Sequence, residues 1–237
     1  MTMDTMRSSV EATPPKVLRL ATTMVAQYLS GFVSELGEEV ARRLGAVEVQ
    51  WVLLPWDKLF SPDHAPFDMA MQLITITPER QAVVDFSDPV LVSNQGLLVR
   101  AESPNASATS LSDIRGSLLG AQGGPTTGMA CIQQVINPEQ PPRAYESMFL
   151  AAKGVSDGEI DGAVFPTFVA LALSKQFRNT RVVSQFTRNE AHGILFDKGS
   201  PLRQPVNKVL AELKSDRSWS SMIDKWFPGI DEIPTFA

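Results

Sequence analysis

The sequence predicts an α/β fold of two lobes with a ligand cleft between them. Short apolar runs alternate with amphipathic helical stretches, the alternation occurs twice, and an extended apolar segment joins the two series. With 43% hydrophobic and 20% charged residues, a chain of 237 residues can bury a core of that size.

Residues 16–22 (KVLRLAT) read as a short buried strand behind Pro15. A helix over 31–44 follows, because Phe32, Leu36, Val40 and Leu44 recur four apart while Glu38, Glu39, Arg42 and Arg43 fall on the opposite face. Gly45 stops it. The strand at 47–54 then completes a β-α-β unit, which implies a parallel sheet. Pro55, Trp56 and Asp57 open a short helix, with Asp57 as its cap or first-turn acid. A third strand spans 67–74 and ends in the turn 75–80, and 90–100 is a longer extended run. The polar, Ser-rich stretch 104–113 marks the boundary. Beyond it come a strand at 118–122, a small-residue turn at 123–128, and a helix at 129–136. Next are a helix at 145–155, a strand at 160–165 and a helix at 167–177. Short strands at 181–184 and 192–196 precede one or two terminal helices over 205–226. No tandem repeat is present.

The net charge of -5 and the absence of a Lys/Arg stripe argue against nucleic acid as a partner. A single Cys, Cys131, excludes an internal disulfide or a Cys-built zinc site. The two histidines, His64 and His192, stand far apart without ligand spacing, so neither a metal nor a cofactor is expected. The polar leader 1–15 contains no signal-like apolar stretch. Localisation is accordingly read as periplasmic or extracytoplasmic if a signal has been removed, and cytoplasmic if Met1 is the native start.

Two turns carry chemistry. At Thr75-Ile76-Thr77-Pro78-Glu79-Arg80, Thr77 fits an N-cap with Pro78 at the first helical position, which places Arg80 in the first turn after a buried strand. In open α/β sheets ligands bind beyond the carboxyl ends of strands, and a guanidinium there can grip a carboxylate through two parallel hydrogen bonds. The alternative is that Arg80 pairs with Glu79 or Asp85 on the surface. The second turn, Gln122–Gly128 (QGGPTTG), permits close backbone approach at its glycines, and Thr126 and Thr127 can cap a helix whose N-terminus favours an anion. An ordinary strand-to-helix connection is the alternative there. His192 reads chiefly as structural, and Cys131 as a small buried hydrophobe.

Together, GFVSELGEEVARRLG, PWDKLF, FDMAMQLITITPERQAVVDFSDPVLVSNQGLLVR, SLSDIRGSLLGAQGGPTTG, DGEIDGAVFPTFVALAL and HGILFDKGSPLRQPVNKVLAELKSDRSWSSMIDKWF resemble the bacterial extracellular solute-binding proteins, family 3, of amino-acid ABC transporters. That resemblance implies a periplasmic-binding-protein type II fold: two Rossmann-like lobes joined by two hinge strands. Lobe 1 would comprise 16–98 plus 190–237, and lobe 2 would comprise 99–189. It implies Arg80 as the carboxylate anchor, with Thr75 and Ile74 beside it and Gln122, Gly124, Thr126 and Thr127 closing from the second lobe. It further implies a small carboxylate ligand, amino-acid-like or an organic acid, an ABC permease as partner, and a monomer. The family's usual acid after the I-D-A-V strand is missing, since Phe165-Pro166-Thr167 stand there. The family's Ser-Gly is replaced by Gln72-Leu73, and the loop over 22–30 is short. These departures point away from a standard α-amino acid. Dehydratases similar to cyclohexadienyl dehydratase share the fold, so a cytosolic lyase is the alternative function, with His192 or Glu190 as general acid.

Overall fold

The computed structural model describes residues 16–23, 30–124 and 126–236. The leader 1–15 and most of the short loop over 22–30 lie outside these. Strand β1 (Val17–Thr22), helix α1 (Ser30–Leu44) and strand β2 (Glu48–Leu53) form the expected β-α-β unit, with the strands parallel. Phe32, Val33, Leu36, Val40 and Ala41 form the buried stripe of α1, and Arg42 and Arg43 close on Glu39 one turn back. A 3₁₀ turn at Trp56–Phe60 follows. Pro55 holds its N-cap position, leaving Asp57 as a first-turn acid only.

Strand β3 (Met69–Thr75) is buried along nearly its whole length, as a central strand covered on both faces requires. Its register breaks between Ala70 and Ile74, where Leu73 takes a φ of 53°. Helix α2 (Pro78–Val83), strand β4 (Asp85–Phe86) and the long strand β5 (Leu91–Arg100) come next. The stretch read as a boundary holds a 3₁₀ turn at Pro104–Ser107 and helix α3 (Leu111–Ile114), which opens on a capping box between Ser110 and Asp113. The second series is β6 (Leu119–Gln122), α4 (Thr127–Cys131), β7 (Arg143–Tyr145), α5 (Met148–Asp157), β8 (Gly162–Pro166) and α6 (Thr167–Gln176). Strand β9 (Thr180–Phe196) returns the chain to the first half, where α7 (Arg203–Ser215) and α8 (Ser218–Trp226) pack.

Three elements differ from expectation. Tyr145 belongs to β7, in register with Gln122, and α5 starts only after Ser147, whose hydroxyl accepts from the Leu150 amide. The helix expected over 129–136 begins two residues earlier and widens into a π turn at Ile132–Ile136. The two short strands expected at 181–184 and 192–196 are one strand, because the polar residues between them run along β5.

The sheet order is β2-β1-β3-β9-β5-β8-β6-β7. Strands β1, β2 and β3 are parallel at one end, as are β6, β7 and β8 at the other. Between these trios lie β5 and β9, antiparallel to each other and to the trio strands they meet. The arrangement is therefore two parallel α/β halves joined by two long crossing strands. Their carboxyl ends face a common cleft, where loop groups converge.

Candidate functional site

The cleft is built first around Arg80. Thr77 accepts a hydrogen bond from the Arg80 amide, which fixes the first turn of α2 as the Thr-Pro pair predicts. The guanidinium turns back and donates to the Thr75 carbonyl at 2.8 Å. Its central carbon lies 5.3 Å from the Trp56 ring and 5.6 Å from the Phe60 ring, so two aromatic faces hold the cation. Burial lowers its pKa, and the negative charges of Glu190 and Glu79 partly oppose that. Among the described residues no carboxylate pairs with it, and Asp85 is taken by Lys198 and the Gly199 amide. The expected surface pairing of Arg80 with Glu79 or Asp85 is thus absent.

Around Arg80 the two halves line a partly open cavity of about 50 Å³. Trp56, Gln72, Leu73, Ile74 and Thr75 line it from the first half, and Gln122, Thr126, Thr127, Met148, Pro166, Phe168 and Val169 from the second. Of the residues predicted from sequence, Arg80, Thr75, Ile74, Gln122, Thr126 and Thr127 meet there. Gly124 does not line the cavity; its φ of 85° makes the turn that presents the two threonines. Thr126 caps α4 by accepting from the Met129 amide, and its hydroxyl donates to the Gln122 carbonyl at 2.7 Å. Thr127 accepts from the Gln95 side chain at 3.0 Å. Among the described residues Arg80 is the single charged residue of the lining.

His192 and Glu190 lie in β9 behind the cavity. His192, in register with Thr75, is fully buried, and neither ring nitrogen has a hydrogen-bond partner among the described residues. Burial, with the Arg80 charge adding to it, pushes its pKa down to about 3, so the ring is neutral. Glu190 accepts from Gln95 at 2.6 Å and from Arg188 at 3.5 Å, which engages both carboxylate oxygens. Cys131 is buried and its thiol is pushed up to about 12, chiefly by desolvation. His64 is held by the Ala65 carbonyl and Asp197 and stacks on Phe67, away from the cleft. Among the described residues no cluster of His, Cys, Asp or Glu could hold a metal ion. No helix among them is long and apolar enough to cross a membrane.

Sequence reasoning missed Trp56, Phe60, Phe168 and Met148 as cleft residues. The aromatic pair around Arg80 comes from a turn some twenty positions upstream, and only the trio Pro-Trp-Asp hinted at a structured turn there.

Two α/β halves, two crossing strands and a cationic cleft between facing strand ends define a clamp-type binding protein of the periplasmic-binding-protein type II fold. The chain belongs to the bacterial extracellular solute-binding proteins, family 3, whose pattern matches residues 15–229. It is 29% identical over 203 residues to the L-cystine-binding protein TcyJ of Escherichia coli K12, spanning 84% of this chain and 74% of that protein. Among solved structures, an ancestral arginine-binding protein bound to glutamine superposes with a TM-score of 0.73 at 28% identity, covering 90% of this chain and 98% of that one. The ancestral amino-acid-binding protein AncCDT-1, a precursor of cyclohexadienyl dehydratase, superposes with a TM-score of 0.74 at 28% identity, covering 90% and 96%.

Proposed function

We propose that this protein is the substrate-binding component of an ABC transporter and that it closes on a small carboxylate-bearing solute, with Arg80 as the anchor. The observation that carries the reading is a partly buried guanidinium, stacked on two rings and with no carboxylate partner among the described residues, in a cavity lined by both halves. A buried cation in that state is stabilised by an anion that completes its hydrogen bonds. The hydroxyls of Thr75, Thr126 and Thr127 and the side chain of Gln122 supply the polar groups that orient the solute. The bound solute ties the halves together, which shifts the population toward the closed clamp. The relatives' names support this class of role. In this reading the protein works outside the cytoplasmic membrane and delivers its cargo to a permease.

No feature of the cleft favours the lyase alternative. His192 is neutral and screened behind the lining, and Glu190 is engaged by Gln95 and Arg188.

Calorimetric titration of ligand-stripped protein with a panel of small carboxylic acids tests the reading. Arg80→Ala should weaken binding by about 100-fold, the scale for truncating one partner of a buried, hydrogen-bonded charge pair. Arg80→Lys should recover only part of it, because an ammonium cannot make the paired hydrogen bonds. Unchanged affinity in Arg80→Ala would remove the anchor from the proposal.

A further inference from the structure

We propose that Gln72 makes the cleft selective for carboxylic acids with an uncharged oxygen beside the carboxylate, 2-oxo or 2-hydroxy acids, over the matching 2-amino acids. The inference rests on the carboxylate reading and names the class of solute within it.

The orientation of Gln72 is dictated by chemistry. The Thr23 backbone N–H can only donate, and it meets the Gln72 side chain at 3.0 Å, so the atom that accepts is Oε1. The carboxamide is therefore turned with its Nε2 as the remaining donor, and Nε2 has no acceptor among the described residues. Gln72 lines the same cavity as Arg80. A solute held there by its carboxylate meets a second N–H donor from the same half of the protein.

The rest of the lining offers an ammonium no anionic partner. Arg80 is its single charged residue among the described ones, and Pro166, at the end of β8, has neither a charge nor an N–H. Glu190 is the acid behind the wall whose field reaches Arg80, and both its oxygens are engaged. Gln122 donates its Nε2 to the Glu146 carbonyl at 3.5 Å, and its neutral Oε1 has no donor among the described residues. This Oε1 and the threonine hydroxyls can take the single proton of a hydroxyl, but all are neutral, and none supplies the opposite charge that offsets the cost of desolvating an ammonium. A cation beside Arg80 and the Gln72 amide would also stand among like-signed groups.

The test is calorimetric titration of ligand-stripped wild type, Gln72→Glu and Arg80→Ala with pyruvate, L-lactate and L-alanine, and with the four-carbon set 2-oxobutyrate, 2-hydroxybutyrate and L-2-aminobutyrate. In the wild type the better of the two oxygenated acids should bind at least tenfold more tightly than the amino acid of the same skeleton. Gln72→Glu keeps an acceptor for Thr23 and replaces the donor with a carboxylate oxygen, so the preference should shrink at least tenfold or reverse. An amino acid bound as tightly as its oxygenated partners by the wild type would overturn the inference. So would a preference unchanged in a Gln72→Glu protein that melts like the wild type. If Gln72→Glu does not fold, Gln72→Met removes the donor and should also lower the preference; an unchanged ratio there counts against Gln72. If no acid binds, or Arg80→Ala leaves binding unchanged, the carboxylate reading itself falls and this inference with it.

Discussion

His192 sits where β3, β5 and β9 meet, paired with Thr75 on one side and Leu91 on the other, its ring edge-to-face with Phe168 at 5.0 Å. With a folded pKa of about 3, it cannot take up a proton that the unfolded chain binds below about 6.5. Its contribution to stability is therefore full above pH 6.5 and is lost as pH falls toward 3, by about 1.4 kcal/mol per pH unit. Glu39 and Asp216, held at about 2 mainly by the Arg42 and Ser218 hydrogen bonds respectively, lose their contributions only below their ordinary values of 4.5 and 3.8. His64 works in the opposite sense: its raised pKa gives stability at low pH that fades as pH rises through the folded value. The interval from pH 7 to 5 thus isolates His192 once a variant is subtracted. Denaturant unfolding at those two pH values should show His192→Leu losing about 2 kcal/mol less than the wild type. Equal losses would mean that the folded protein protonates His192. At this scale Arg80 was readable from sequence because Thr77 and Pro78 carry their own capping geometry. The isolation of His192 was not, since it depends on three strands that meet only in the fold.

The turn after β6 and the start of α4 each contain a glycine, and the two serve different purposes. At Gly124 the backbone takes a φ of 85° and an added Cβ would meet nothing within 4 Å. At Gly128 an added Cβ would lie 2.5 Å from the Val164 carbonyl oxygen, because α4 rests directly on β8. The helix that presents Thr127 to the cavity is seated by that contact. Gly128→Ala should cost about 1–3 kcal/mol through overpacking and displace Thr127 from the cleft, seen as a lower melting temperature together with weaker ligand binding. Gly124→Asn should leave both nearly unchanged, since Asn tolerates the left-handed region. An unaltered Gly128→Ala protein would show that α4 can lift off β8 freely. QGGPTTG was legible as a strand-to-helix turn, but which glycine packs against a neighbour is a tertiary fact. The continuity of β9 was hidden for a similar reason. Its middle is polar and passes through a φ of 48° at Asn189, and it stays beside β5 because the Asn94 side chain accepts from the Arg188 and Asn189 amides and donates to Gln185.

Over the whole molecule, the mirror-like strand order followed from two β-α-β signals and one long extended run, so the architecture was legible early. The third crossing was not. After α8 the chain leaves the first half, and its end joins the core of the second: Gln185 exchanges backbone hydrogen bonds with Pro234 and Phe236, and Phe236 packs with Phe186 among residues such as Leu97 and Ile132. No periodic pattern announces a segment that short. In the proposed reading the halves part to admit the solute, and β5, β9 and this tail then all have to accommodate the opening. The two strands can bend at their register shifts near Ser93 and Gln95, whereas the tail is tied at both ends, through Phe227 beside Phe32 and through Phe236. We predict that a tail anchored in this way biases the free protein toward closure, since apparent affinity scales with the fraction already competent to bind. Small-angle scattering should show the wild type compacting on addition of a bound carboxylic acid. Phe236→Ala should start from a larger radius of gyration, reach the same bound radius, and bind roughly 3- to 10-fold more weakly. A variant whose free and bound radii both match the wild type, with unchanged affinity, would show that closure is governed by β5 and β9 alone.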